Sequence, residues 1–128
     1  MNNPFDDVRQ WSEKTDCSPH FDSPNALNAF IVKLLAEEYG EFTDAIVKGD
    51  EVKQLDGAVD MMWVIIRYMI SKGWDMEGAW EELTQSNNSK ILPNGEVIRN
   101  EQGKIQKPDC YVPPNFKPYL RKEMEDER

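Results

Sequence analysis

The chain has 128 residues and a formal net charge of −9, from 24 acidic against 15 basic residues. That length holds one domain with one modest core, and that charge argues against a general nucleic-acid binder, which needs a basic surface to neutralise phosphates. The longest apolar stretch, residues 61–66, falls far short of the about 20 apolar residues a membrane span requires, and the polar, acidic residues 1–7 do not read as a signal peptide.

Taken in chain order, residues 5–14 place Phe5, Val8 and Trp11 at helical spacing. A polar loop follows through Ser18, Pro19 and Ser23-Pro24, with Asn25 or Ser23 as the cap of the next helix. Residues 26–47 keep helical periodicity without an internal proline, and Lys48-Gly49-Asp50 reads as its stop, with glycine where a left-handed turn is favoured. Residues 51–71 predict a second long helix, ended by Lys72-Gly73. A third, shorter helix is expected from Asp75 or Met76 to about Gln85. Two long helices joined by so few residues form an antiparallel hairpin.

The character changes after Ser86. Leu92-Pro93-Asn94-Gly95-Glu96-Val97-Ile98 carries an Asn-Gly turn signal between apolar pairs, and a second turn falls at Glu101-Gln102-Gly103. Residues 90–107 are therefore expected to form a small β-hairpin or ordered loop. Pro108, Pro113, Pro114 and Pro118 break regular structure beyond it, and the charged residues 121–128 are expected to fray. The expected domain is single, with a helical core over about 5–86 and a hairpin and proline-rich tail over about 87–128. The fold class is all-α.

On a wheel at about 100° per residue, Leu27, Phe30, Ile31, Leu34, Leu35, Phe42, Ala45 and Ile46 share one broad apolar face of the first long helix. Glu38 falls near its middle. Glu41 lies one turn on towards its edge, with Glu37 and Asp44 just beyond. The second long helix is apolar nearly all round, from Ala58 and Val59 to Ile70, and is expected to be the buried central element. Its acidic exceptions are Asp56 and Asp60, one turn apart, with Arg67 two turns further along the stripe. Antiparallel pairing brings Glu38 and Glu41 opposite Asp60. Burying ionised carboxylates without a partner costs several kcal/mol, so something positive is required. Arg67 and Lys33 can supply it as salt bridges, and a solvated acidic face is the plain alternative. Hard divalent cations, Mg²⁺ or Mn²⁺, suit the oxygen ligands equally. The single histidine, His20, removes the usual zinc sites. Cys17 and Cys110 lie far apart and show no disulfide framework, so a reducing cytoplasm is the expected setting.

Glu37-Glu38-Tyr39-Gly40-Glu41, followed by Leu55-Asp56-Gly57-Ala58-Val59-Asp60-Met61-Met62-Trp63, resembles the MazG-like nucleoside triphosphate pyrophosphohydrolases. Their signature is Glu-Glu-x-x-Glu on one helix and Glu-x-x-Asp on the next. The first half matches in full. In the second, Gly57 stands where the family has glutamate, and the acid lies one residue earlier at Asp56. Asp7-Val8-Arg9-Gln10-Trp11, Ser86-Asn87-Asn88-Ser89-Lys90, Gly103-Lys104-Ile105 and Tyr111-Val112-Pro113-Pro114 resemble a compact bacterial and phage branch of the same superfamily, in the expected order.

The resemblance implies hydrolysis of a (deoxy)nucleoside triphosphate between its α and β phosphates, releasing monophosphate and pyrophosphate and so controlling a nucleotide pool. A guanine nucleotide is one candidate. Phosphoribosyl-ATP or dUTP pyrophosphohydrolysis, and a non-catalytic metal-binding helical dimer, are the alternatives. Carried over, Glu38, Glu41, Asp60 and Asp56 are ligands to two or more Mg²⁺ ions, with Mn²⁺ able to substitute. Glu37 is either a further ligand or the general base. Asn87, Lys90 and Lys104 are expected to contact phosphate or sugar, and Trp11 the base. The superfamily builds its four-helix core from two chains, which implies a homodimer or homotetramer.

Overall fold

The structure is a computed structural model that describes residues 3–15 and 23–120. Cys17, His20 and the terminal run expected to fray lie outside the described residues. Four α-helices follow in order: α1 (Pro4–Thr15), α2 (Pro24–Lys48), α3 (Glu51–Lys72) and α4 (Met76–Asn88), with a short 3-10 turn at Lys117–Leu120. The described residues contain no strand, and no helix among them is long and apolar enough to cross a membrane. The fold divides into two compact units, Met1–Trp74 and Asp75–Arg128.

In the first unit the helix ends are set by local hydrogen bonds. The Ser23 hydroxyl accepts from the Ala26 N–H at 3.1 Å and caps α2, with Pro24 in the first turn, where its missing N–H costs nothing. Gly49 closes α2 at φ 72°, donating its N–H to the Ala45 and Ile46 carbonyls. Asp50 then caps α3 through the Lys53 N–H at 3.2 Å, so the reversal takes only two residues. Gly73, at φ 75°, ends α3.

The hairpin register is read from three cross-helix pairs. Ser71 Oγ donates to Asn28 Oδ1, Gly57 faces Phe42, and Gln54 Nε2 donates to the Ala45 carbonyl at 3.3 Å. All three obey one antiparallel register, which places Glu38 level with Asp60 and Met61. Ile31, Ala45 and Val64 are buried in this unit, as are Ile66 and Val8. α1 packs on α3, where the Trp11 and Trp63 rings meet edge to face at 5.6 Å. Tyr68 and Trp74 make a similar contact at 5.9 Å.

α3 is not the wholly buried element its composition predicts. Val52, Leu55, Val59 and Met62 are 80, 66, 50 and 54 % exposed. These residues share the face turned away from α2, and one hairpin plus α1 leaves it uncovered. Phe30 and Ile46, assigned by the wheel to the apolar face of α2, are likewise exposed.

In the second unit Asp75 caps α4 by accepting from the Gly78 N–H at 3.0 Å. α4 runs to Asn88, three residues beyond its expected end. Glu82 ties it to the tail, accepting from the Asn115 N–H at 2.8 Å and the Tyr119 hydroxyl at 3.3 Å. Residues 90–107 form an ordered loop with one antiparallel bridge, Arg99 to Ile105. Both expected turns are present, with Gly95 and Gly103 at φ 89°. Asn100 organises the second by accepting from the Gln102 and Lys104 N–H groups, each at 2.9 Å. The arms between turns are too short to extend the ladder.

Candidate functional site

The hairpin register brings together the two acids that the wheel puts on facing stripes. Glu38 is half-buried, and its Oε1 is sealed from solvent with no hydrogen-bond partner. Asp60, also half-buried, stands within hydrogen-bonding reach of the Glu38 carboxyl. A second carboxylate at that range disfavours the ionised form of Glu38. The Glu38 carboxyl is accordingly pushed above 4.5, first by burial, then by the charges of Asp60 and Glu41, by the proton it can share with Asp60, and by the charge of Asp56. All of these act in one direction.

Glu41 and Asp56 belong to the same electrostatic group, although both side chains are exposed. Glu37 is exposed on the next position of α2. The expected convergence of four or five carboxylates in a dry cleft is therefore met only at its centre, by Glu38 and Asp60. Among the described residues no three Asp, Glu, His or Cys side chains stand ready-spaced as a metal cage.

Arg67 is 7 % exposed, and its guanidinium lies 4.9 Å from the centre of the Trp11 ring, a cation–π contact. This joins α1 to the acidic stripe of α3, because Arg67 follows Asp60 by two turns. Trp11 thus sits against Trp63 and Arg67 with 39 % of its surface open. Lys33 is exposed on α2.

Gly57 has a packing role that its place in the acidic motif does not reveal. A Cβ there would come within 3.0 Å of the Phe42 Cβ and 3.2 Å of its Cα. The two helices therefore touch at the level just below Glu38 and Asp60. A side chain at this point in the hairpin requires Phe42 and its helix to give by a few tenths of an ångström.

Asn87, Lys90 and Lys104 lie in the second unit. Asn87 and Lys104 are exposed, and Lys90 lies 5.9 Å from the centre of the Tyr111 ring. Lys107 approaches the same ring at 5.2 Å. Tyr111, which opens the Tyr111-Val112-Pro113-Pro114 stretch, is carried back to the end of α4 by the folded tail.

Fold and site together define a small all-α protein built on a hairpin whose two helices share a half-buried carboxyl pair. Residues 9–87 match the phosphoribosyl-ATP pyrophosphohydrolase family, and the chain belongs to that family. The match covers Glu37, Glu38, Glu41, Asp56, Asp60 and Asn87. The family is one of pyrophosphohydrolases, enzymes that act on acid anhydrides, and a nucleotide is its substrate class. No curated protein and no solved structure matches the chain.

Proposed function

We propose that this chain hydrolyses the α–β phosphoanhydride of a nucleoside triphosphate, with Mg²⁺ bound at the α2–α3 carboxyl group, releasing monophosphate and pyrophosphate. The observation that carries the proposal is the sealed, unpartnered Glu38 Oε1 beside Asp60. An orphaned carboxylate oxygen facing a second carboxylate suits a hard divalent cation, so the donor set fits the metal in its chemistry.

Glu38, Glu41, Asp60 and Asp56 would hold the ions, two or more per site, with Mn²⁺ able to replace Mg²⁺. When bound, such ions neutralise phosphate charge and lower the pKa of a water. Glu37, exposed beside Glu38, would serve as the general base, taking a proton from the attacking water as the water's oxygen bonds to the α phosphorus and the bond to the bridging oxygen of the leaving pyrophosphate breaks. Trp11, half open and braced by Trp63 and Arg67, offers a stacking surface for a base. Asn87, Lys90 and Lys104 are assigned to phosphate or sugar on the sequence resemblance to the MazG-like enzymes. The same resemblance supports a role in adjusting a nucleotide pool, with a guanine nucleotide as the first base to test and the cytoplasm, of a phage-infected host in the phage branch, as its setting.

A second substrate reading, phosphoribosyl-ATP, is favoured by the family match. One experiment separates the two. Pyrophosphate release is measured with Mg²⁺ from ribo- and deoxynucleoside triphosphates, dUTP included, and from phosphoribosyl-ATP, for wild type and Glu38→Gln. The expected result is metal-dependent turnover of a triphosphate, reduced roughly 10²-fold or more by the substitution. Turnover of phosphoribosyl-ATP alone would establish the second reading, and turnover of nothing would leave the carboxyl pair as a binding site only.

A further inference from the structure

We propose that α1 is a reversibly docked lid, which leaves α3 and returns while the α2–α3 hairpin stays folded. The make-up of the α1–α3 contact carries this. Val8 and Ser12, one turn apart on α1, are 1 and 4 % exposed. Beside them the Trp11 ring meets Trp63 edge to face at 5.6 Å and lies 4.9 Å from the Arg67 guanidinium. Trp11 nonetheless keeps 39 % of its surface open.

The contact holds one clasp and one fault. A guanidinium shielded from water attracts an aromatic face more strongly than an exposed one does. Arg67, at 7 % exposure, therefore draws α1 onto α3. Ser12 acts the other way. Its hydroxyl is sealed from solvent, and among the described residues it has no hydrogen-bond partner. A buried hydroxyl in that state costs free energy that hydration restores once α1 lifts. Val8 is the one buried hydrophobic residue of α1. The hairpin beneath is joined differently, through buried Ile31, Ala45 and Val64 and through the Ser71–Asn28 and Gln54–Ala45 bonds. Of the two joints, the weaker opens first.

The position of α1 gives its lifting a use. Trp63 follows Asp60 by three residues and Arg67 follows it by seven, about one and two turns along α3. The lid therefore docks next to the Glu38–Asp60 pair. Lifting it uncovers Trp63 and Arg67, and docking covers them again. That a nucleotide is what the lid admits rests on the proposed activity; the undocking itself does not.

The test is native-state hydrogen exchange on the full chain in EDTA, across low urea concentrations. The amides from Val8 to Ser12 are expected to exchange as one group, at least about tenfold faster than the most protected α2–α3 amides. Their exchange should depend little on urea, because lifting one helix exposes little surface. Ser12→Ala is expected to slow this group about tenfold, whereas helix propensity alone supplies no more than about threefold. Arg67→Met is expected to speed it about fivefold while hairpin exchange stays unchanged, with Arg67→Lys between the two. Urea midpoints confirm that each variant is folded. A parallel run adds Mg²⁺ and an α,β-methylene nucleoside triphosphate, which cannot be cleaved at that bond, and slower α1 exchange is expected as the lid closes.

If the α1 amides exchange only together with the hairpin, at its rate and its urea dependence, the lid is overturned. A Ser12→Ala effect within threefold overturns it as well. Triphosphate turnover with α1 exchange unmoved by the nucleotide would leave the hydrolysis standing and remove the lid. Independent lifting of α1 without turnover of any triphosphate would do the reverse.

Discussion

Glu38 carries a carboxyl group in a place where water cannot solvate one of its oxygens, and the consequence is a pH dependence of known sign. Its folded-state pKa lies above the ordinary 4.5, through burial first and neighbouring acids second. Between 4.5 and that raised value the metal-free folded chain binds more protons than the unfolded chain. The stability contributed by this group therefore falls as pH rises through the interval. Glu38→Gln should raise the urea midpoint of the EDTA-treated protein at pH 7. The difference should fade as pH drops below 4.5, where wild-type Glu38 becomes protonated in both states. Adding Mg²⁺ should reverse the ranking, because only the wild type keeps the ligand and binding to the folded state stabilises it. Urea titrations of both proteins across pH, with and without Mg²⁺, check all three outcomes. A wild type indifferent to Mg²⁺ would contradict the metal assignment.

Two helix contacts are tight, and substitutions there act through packing. At Gly57 a methyl group would press on Phe42, including its backbone, at 3.0–3.2 Å. Alanine gains about 1 kcal/mol of helix propensity over glycine, which roughly offsets a small helix displacement. Gly57→Leu has no such balance and should destabilise the chain by about 1–3 kcal/mol. Gly57→Glu should behave like leucine rather than improve activity, because its side chain too must displace Phe42 and its helix. Denaturant midpoints and turnover of the three variants test this ordering. In the second unit a Cβ on Gly78 would stand 2.5 Å from the Tyr119 ring and 2.6 Å from Asp75. Gly78→Ala should therefore displace Tyr119 from α4 and break its bond to Glu82. Loss of protection of the Tyr119 and Asn115 amides in hydrogen exchange, with the α2–α3 amides unchanged, is the expected signature.

At the scale of the whole molecule, the open face of α3 is the feature that one chain does not resolve. Val52, Leu55, Val59 and Met62 form a stripe at spacings of three and four residues, each at least half exposed. A contiguous apolar patch of this kind marks an interaction surface, and the homodimer or homotetramer expected from the sequence resemblance would cover it with a second copy of the same helix face. Sedimentation of the wild type should report a dimer or a dimer of dimers. Met62→Glu and Val59→Glu should shift it towards monomer by placing unpaired charges in the interface. A monomeric wild type at micromolar concentration would remove this expectation and leave the stripe unexplained.

What was legible in the sequence follows from the range of the interactions involved. Helix ends were legible because Ser23, Gly49, Asp50 and Gly73 act on residues at most four or five away, by capping bonds or left-handed φ. The facing of Glu38 and Asp60 was legible for a related reason: helical periodicity plus a two-residue reversal leaves little freedom in the register. The exposure of α3 was not, since apolar composition says that a face seeks cover and not which element supplies it. Nor were the depth of Glu38 against the openness of Glu41 and Asp56, or the single bridge in residues 90–107. The sequence by itself determined the all-helical class, the hairpin and the pairing of its central acids, because each rests on local geometry. Only the tertiary structure decided that Gly57 is a helix contact, that Arg67 packs on Trp11, and that Lys90 and Lys107 approach the Tyr111 ring. Those depend on contacts between segments far apart in the chain, whose closure no local pattern records.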